Sequence, residues 1–91
     1  MSIVEFDWDD ANRGHIARHG ISPEEAEQAV TIDPLDADVQ QHESEQRVLC
    51  FGRTRSGRLV TVLYTQRGGK VRVVTAYEMT KAQQRLYFLE E

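Results

Sequence analysis

Six cations fall between residues 53 and 72: Arg53, Arg55, Arg58, Arg67, Lys70 and Arg72. A guanidinium offers phosphate two parallel hydrogen bonds and keeps its charge. Tyr64 and Tyr77 lie among or just beyond these cations. Each presents a face on which an unpaired base can stack. For any one arginine, the plainer role is to solvate a turn or pair with a carboxylate. For six in so short a stretch, phosphate binding weighs about as much. His15 and His19 stand four residues apart, on one face of a helix. That is a metal-ligand spacing, but no glutamate lies between them and no third ligand is evident, so a metal is not expected. His19 precedes Gly20 at a predicted helix end, where the negative end of the helix dipole favours a cation. A capping histidine is the simple reading, and a general acid or base is the sharper one. Asp7, Asp9 and Asp10 suit a hard cation in type, but strand-end and capping roles explain them more cheaply. His42 reads as solvated. No nucleophile motif, phosphate-cradling glycine loop or dinucleotide fingerprint is present, and no cofactor is expected.

The charge is divided along the chain. Residues 1–45 carry twelve carboxylates against two arginines, whereas residues 46–91 carry nine bases against three carboxylates. The net −4 therefore hides a basic half, suited to a polyanion. Ninety-one residues suit one domain, 1–91, with a modest core. The single cysteine, Cys50, sits in the apolar run Val48-Leu49-Cys50-Phe51 and reads as a buried, inert thiol. It excludes an intrachain disulfide or a cysteine metal cluster. With no basic–apolar leader and no membrane-length apolar run, the expected location is the cytoplasm, away from membranes.

The elements that must position these residues follow from periodicity. Ile3 to Trp8 alternates, with Val4, Phe6 and Trp8 on one side, and predicts a half-buried strand. A helix follows from about Asp10 to His19, capped by Asp9 or Asp10, weakened at Gly14 and stopped by Gly20. Ser22-Pro23-Glu24-Glu25 reads as a capping box with proline at the first helical position. That helix ends at Asp33-Pro34, because proline disfavours helix in the residue before it. Residues 35–45 are acidic and aperiodic and read as a loop. Three strands follow, Gln46 to Arg53, Leu59 to Gln66 and Val71 to Tyr77, joined by two glycine-bearing hairpin turns. Thr80 opens a last helix with Gln83 at the capping-box position, docked by Leu86, Phe88 and Leu89. The fold class is α+β: an N-terminal strand, two helices, a three-stranded antiparallel meander with helices on one face, and a C-terminal helix. Successive hairpin ends point in opposite directions, so the six cations divide into two patches.

Several strings together resemble the BrnT toxin family, also described as a domain of unknown function. They are Phe6-Asp7-Trp8-Asp9, Ala17-Arg18-His19-Gly20-Ile21-Ser22 with Glu24-Glu25-Ala26, and Asp33-Pro34. The second half continues the resemblance with Arg47, Gly52-Arg53, Gly57-Arg58-Leu59, Val62-Leu63-Tyr64-Thr65, Arg67, Val71 to Ala76, Thr80 and Tyr87. The resemblance implies a RelE-like fold and a metal-independent ribonuclease of a bacterial type II toxin–antitoxin pair. It also implies a ribbon-helix-helix antitoxin that blocks the toxin, with DNA contacted only through that partner. Two places depart from the family pattern. Thr75-Ala76-Tyr77 stands where such toxins commonly have Ser-Ala-Arg, and His15 to Gly20 stands where an asparagine and a Lys-His-Gly ending are usual.

On RNA the implied chemistry is attack of a ribose 2′-OH on the adjacent phosphorus, with a base, cations and an acid. The expected roles are phosphate charge from Arg53 and Arg72, acid–base work from His19, and phosphate orientation or leaving-group protonation from Tyr77. Arg55, Arg58, Tyr64, Arg67 and Lys70 form the expected RNA-binding set. Tyr77 cannot supply fixed positive charge at neutral pH. A second reading is therefore a catalytically inactive module that keeps the partner surface. A third is a domain whose bases only balance its acids. The acidic stretch from Asp36 to Glu45 is expected to steer a basic partner, and an exposed strand edge is a ready pairing site.

Overall fold

The computed structural model describes residues 4–90. Helix α1 is Asp10–Ala17 and helix α2 is Pro23–Thr31. Strands β1 (Leu35–His42), β2 (Glu45–Arg53), β3 (Leu59–Arg67) and β4 (Lys70–Glu78) follow, then helix α3 (Lys81–Glu90). The four strands form one antiparallel sheet in the order β1-β2-β3-β4.

Three expectations are corrected. The stretch expected to be a loop contains an edge strand, so the meander has four strands rather than three. β1 escaped detection because from Asp36 onward every residue is exposed, leaving no alternation to read. Its two-residue turn, Glu43-Ser44, has Glu43 at φ 56°, without the Asn-Gly or Asp-Gly signal of such hairpins. The N-terminal strand reduces to one parallel bridge, Phe6 to Val71, with Ile3 outside the described residues. Two backbone hydrogen bonds hold it: Asp7 N–H to Val71 O at 2.8 Å and Val71 N–H to Glu5 O at 2.9 Å. The helices also occupy both faces of the sheet. Val60, Val62, Val73 and Ala76 pack with Ile16, Ile21, Ala26 and Ala29 beneath α1 and α2. Phe51, Met79 and Tyr87 pack on the opposite face, with Leu35, Leu49 and Leu59. Tyr87 therefore docks α3, and Leu86, Phe88 and Leu89 stay exposed.

The capping signals resolve as expected. Asp9 and Asn12 form a reciprocal box on α1, Ser22 and Glu25 on α2, and Thr80 and Gln83 on α3. At Gly52, α2 comes so close to β2 that a Cβ would lie 1.7 Å from the Ala29 carbonyl oxygen. No helix among the described residues is long and apolar enough to cross a membrane.

Candidate active site

Helix α1 lies along edge strand β4, and successive turns meet successive strand positions. Asp9 reaches Arg72 at 3.0 Å. Buried Asn12 donates from Nδ2 to Val73 O at 3.2 Å and to Asp7 O at 2.9 Å. His15 Nε2 meets Thr75 Oγ1 at 3.0 Å. The His19 ring stands 6.4 Å from the Tyr77 ring and 5.6 Å from the His15 ring, both edge to face. Steps of three residues put Asp9, Asn12 and His15 on one side of α1, and the turn after Ala17 carries His19 on along the same strand. A bulge at Val74, between the pairs Leu63–Thr75 and Tyr64–Val73, shifts the strand's register there.

The last two rungs form an exposed cluster of two imidazoles and a phenol. Its position is fixed by the turn after α1. Ile21 N–H bonds Ile16 O at 3.1 Å and Gly20 N–H bonds Ala17 O at 3.0 Å, the paired bonds of a Schellman motif. Gly20 takes the left-handed φ of 73° that this turn requires. Buried Ile16 and Ile21 anchor both sides of the turn in the core.

Arg58 braces the same turn. Its Nη1 donates to Gly20 O at 2.8 Å and to both Glu25 carboxylate oxygens, at 3.1 and 3.0 Å. Its Nη2 donates to Glu78 at 2.7 Å. The ion pairs with Glu78 and Glu25 push the Arg58 pKa upward, keeping it a permanent cation. Tyr77 is held from the other side. Gln83 Nε2 donates to Tyr77 Oη at 3.1 Å, and Gln83 Oε1 accepts from Thr61 Oγ1 at 2.8 Å and Thr80 N–H at 3.0 Å. Because Tyr77 Oη accepts from Gln83, its own proton is free to point outward.

The expected site residues do not assemble as one group. His19 and Tyr77 come together. Arg72 pairs with Thr65 across the sheet and Tyr77 with Thr61, so Arg72 lies five residues down β4. That is about 15 Å at the rise of a strand. Its guanidinium is largely buried against Asp7 and Asp9. Arg53 is held by Asp33. Arg67 pairs with Glu45 at 3.1 Å, at the opposite end of the sheet from Arg58. The cations therefore do divide between the two ends, and carboxylates of the acidic half hold four of them. Tyr64 packs half-buried on the helix-side core, its hydroxyl pushed up to about 12 by burial and then by Asp36. It is not a partner of Tyr77. Arg55, in a turn, and Lys70, at the start of β4, are exposed and without an ion pair among the described residues.

His15, Arg18, Thr75 and Gln83 were not singled out as site residues from sequence. The four-residue spacing to His19 is the sequence signal that reaches His15. Arg18, the C-cap of α1 between His15 and His19 in the chain, is exposed and forms no ion pair among the described residues. No group of three or more His, Cys, Asp or Glu side chains among the described residues is arranged to hold a metal.

Charge pairing gives the fold an acid limit. The Asn12 amide, then Arg72, holds Asp9 below its usual pKa of 3.8. The Ser22 amide and Arg58 do the same for Glu25, and Arg47 and Arg67 for Glu45, both usually 4.5. A depressed carboxylate pKa contributes stability above the unfolded value and loses it as pH falls through the folded one. The melting temperature should therefore stay level with respect to these groups above about pH 5 and fall below about pH 4. Circular dichroism melts across that range test this, and an unchanged midpoint at pH 3 would contradict it.

The family model described as ribonuclease toxin, BrnT, of type II toxin-antitoxin system matches residues 8–83. The match spans His15, His19, Thr75, Tyr77 and Gln83 and stops short of Leu86. Among curated proteins, none matches the chain.

Proposed function

The chain belongs to the BrnT family of ribonuclease toxins of type II toxin–antitoxin systems, and on that premise we propose that it is a metal-independent endoribonuclease centred on His15, His19 and Tyr77. The observation that carries this reading is the packing of two exposed imidazoles and a phenol at one end of the α1–β4 seam. We read the fold as RelE-like, and the antiparallel sheet with its three helices supports that reading.

Phosphate seated on this rim meets the groups that transesterification needs. An imidazole takes the 2′-OH proton, and the 2′-oxygen attacks phosphorus. The bond from phosphorus to the 5′-oxygen breaks, leaving a 2′,3′-cyclic phosphate and a 5′-hydroxyl. We assign the base role to His19 and leaving-group protonation to His15 or the outward Tyr77 proton. Arg18 supplies the mobile positive charge. Arg58 holds the turn beneath. Arg53 and Arg72 fasten the fold through Asp33, Asp7 and Asp9, while Arg55 and Lys70 are exposed contacts for the RNA backbone. The partner is a ribbon-helix-helix antitoxin, through which alone the toxin meets DNA, and the location is the cytoplasm.

Tyr77→Phe tests the hydroxyl alone. Cleavage of a short RNA should fall about 10- to 100-fold with the fold intact, and an unchanged rate would remove Tyr77 from the reaction. One observation favours the inactive-module reading: carboxylates already hold Arg53, Arg58, Arg67 and Arg72. Induced expression separates the two. Growth arrest relieved by the neighbouring antitoxin supports the toxin, and unimpaired growth with retained antitoxin binding supports the module.

A further inference from the structure

We propose that the outer face of α3 is the docking surface for the antitoxin, and that it receives an amphipathic segment carrying apolar anchors and carboxylates. This deepens the toxin–antitoxin reading and rests on it. Leu86, Phe88 and Leu89 are 53, 55 and 79% exposed. Phe88 and Leu89 join Lys81, Gln84 and Arg85 around an open groove of about 550 Å³. Solvent-facing aromatic and aliphatic side chains gathered on one helix mark an interaction surface rather than scattered exposure.

Charge selects the occupant. Lys81 and Arg85 flank the apolar groups and form no ion pair among the described residues. By contrast, Arg47, Arg53, Arg58, Arg67 and Arg72 all hold carboxylates. The complement of this face is therefore an apolar segment edged by acids, seated as a helix lies in a groove. A basic segment suits the acidic β1 edge instead.

The same helix reaches the proposed reaction centre. Its first turn carries Gln83, which holds both the Tyr77 hydroxyl and Thr61. A partner seated on the outer face of α3 would bear on the helix whose inner side holds Tyr77, so docking and inhibition share one helix.

The test uses the full chain and the purified antitoxin encoded by the adjacent reading frame, with affinity measured by calorimetry. Phe88→Glu with Leu89→Glu, and separately Lys81→Glu with Arg85→Glu, should each weaken binding about tenfold to a hundredfold. RNA cleavage and circular dichroism should be unchanged, since these side chains are exposed. Should the apolar pair misfold, the charge-reversed pair decides. Unchanged affinity in a folded variant overturns the proposal. So does a loss seen only after Asp36 and Asp38 are neutralised, which would place the antitoxin on β1. Sedimentation showing that the variants abolish self-association while antitoxin affinity stays constant would assign the face to a second copy. A wild-type chain that binds no such antitoxin would instead defeat the toxin–antitoxin reading itself.

Discussion

Replacing His19 with alanine is expected to lower RNA cleavage by about 100- to 10,000-fold, the usual worth of a positioned proton-transfer group. The effect should appear in the rate of the bound complex, because the imidazole acts on the proton rather than on substrate affinity. His19 is exposed, so folding should change by less than about 0.5 kcal/mol. Arg72→Ala is the informative contrast. It leaves Asp7 and Asp9 without their cation at the root of the α1–β4 seam. Its main consequence should be a lower melting temperature, with cleavage by the folded fraction largely kept. Equal losses of cleavage in both variants would place the phosphate nearer Arg72 than the seam geometry does.

Gly52→Ala should be the most damaging small substitution for the fold. The added Cβ would lie 1.7 Å from Ala29 O, 2.6 Å from Ala29 C and 2.9 Å from Ala29 Cα. These are backbone atoms of α2 where it meets β2, and no side-chain rotation relieves them. Separating helix from strand also loosens Cys50 and Ala29, both fully buried. The cost should reach about 3 kcal/mol, the upper end for overpacking. In a domain of this size that lowers the melting temperature by roughly 15 °C. Gly14→Ala makes the matched control with the opposite sign. Nothing lies within 4 Å of its added Cβ, and Gly14 sits inside α1. It should stabilise by about 0.5–1 kcal/mol through helix propensity. Denaturant melts of both variants measure the difference directly. A Gly52→Ala midpoint equal to wild type would show that α2 sits farther from β2.

Local chemistry was well written into the chain. Ser22-Pro23-Glu24-Glu25 specified a helix start that needs only its own residues, and Gly20 specified a left-handed turn. β2, β3 and β4 were legible from alternation and glycine turns. β1 was hidden because an edge strand exposed from Asp36 onward needs no apolar partner on either face beyond Leu35. The position of α3 was misread for a related reason. Three apolar residues suggested its buried side, whereas one tyrosine, Tyr87, fills that place and donates to Asp33 O at 2.8 Å. At the site, His19 and Tyr77 were both named as chemistry-bearing, but their meeting depends on α1 running along β4. The pairings of Arg53, Arg58, Arg67 and Arg72 are also long-range, with carboxylates far away in the chain. Residue type could show that these cations bind anions. Only the fold shows that the chain itself supplies many of them.

The most direct test is the chemistry of the RNA ends produced by the purified chain with excess chelator present. The expected result is cleavage to 2′,3′-cyclic phosphate and 5′-hydroxyl ends, undiminished by chelator and nearly abolished in His19→Ala. Metal-requiring cleavage, 5′-phosphate ends, or cleavage that survives His19→Ala would contradict a metal-independent centre built on the α1–β4 seam.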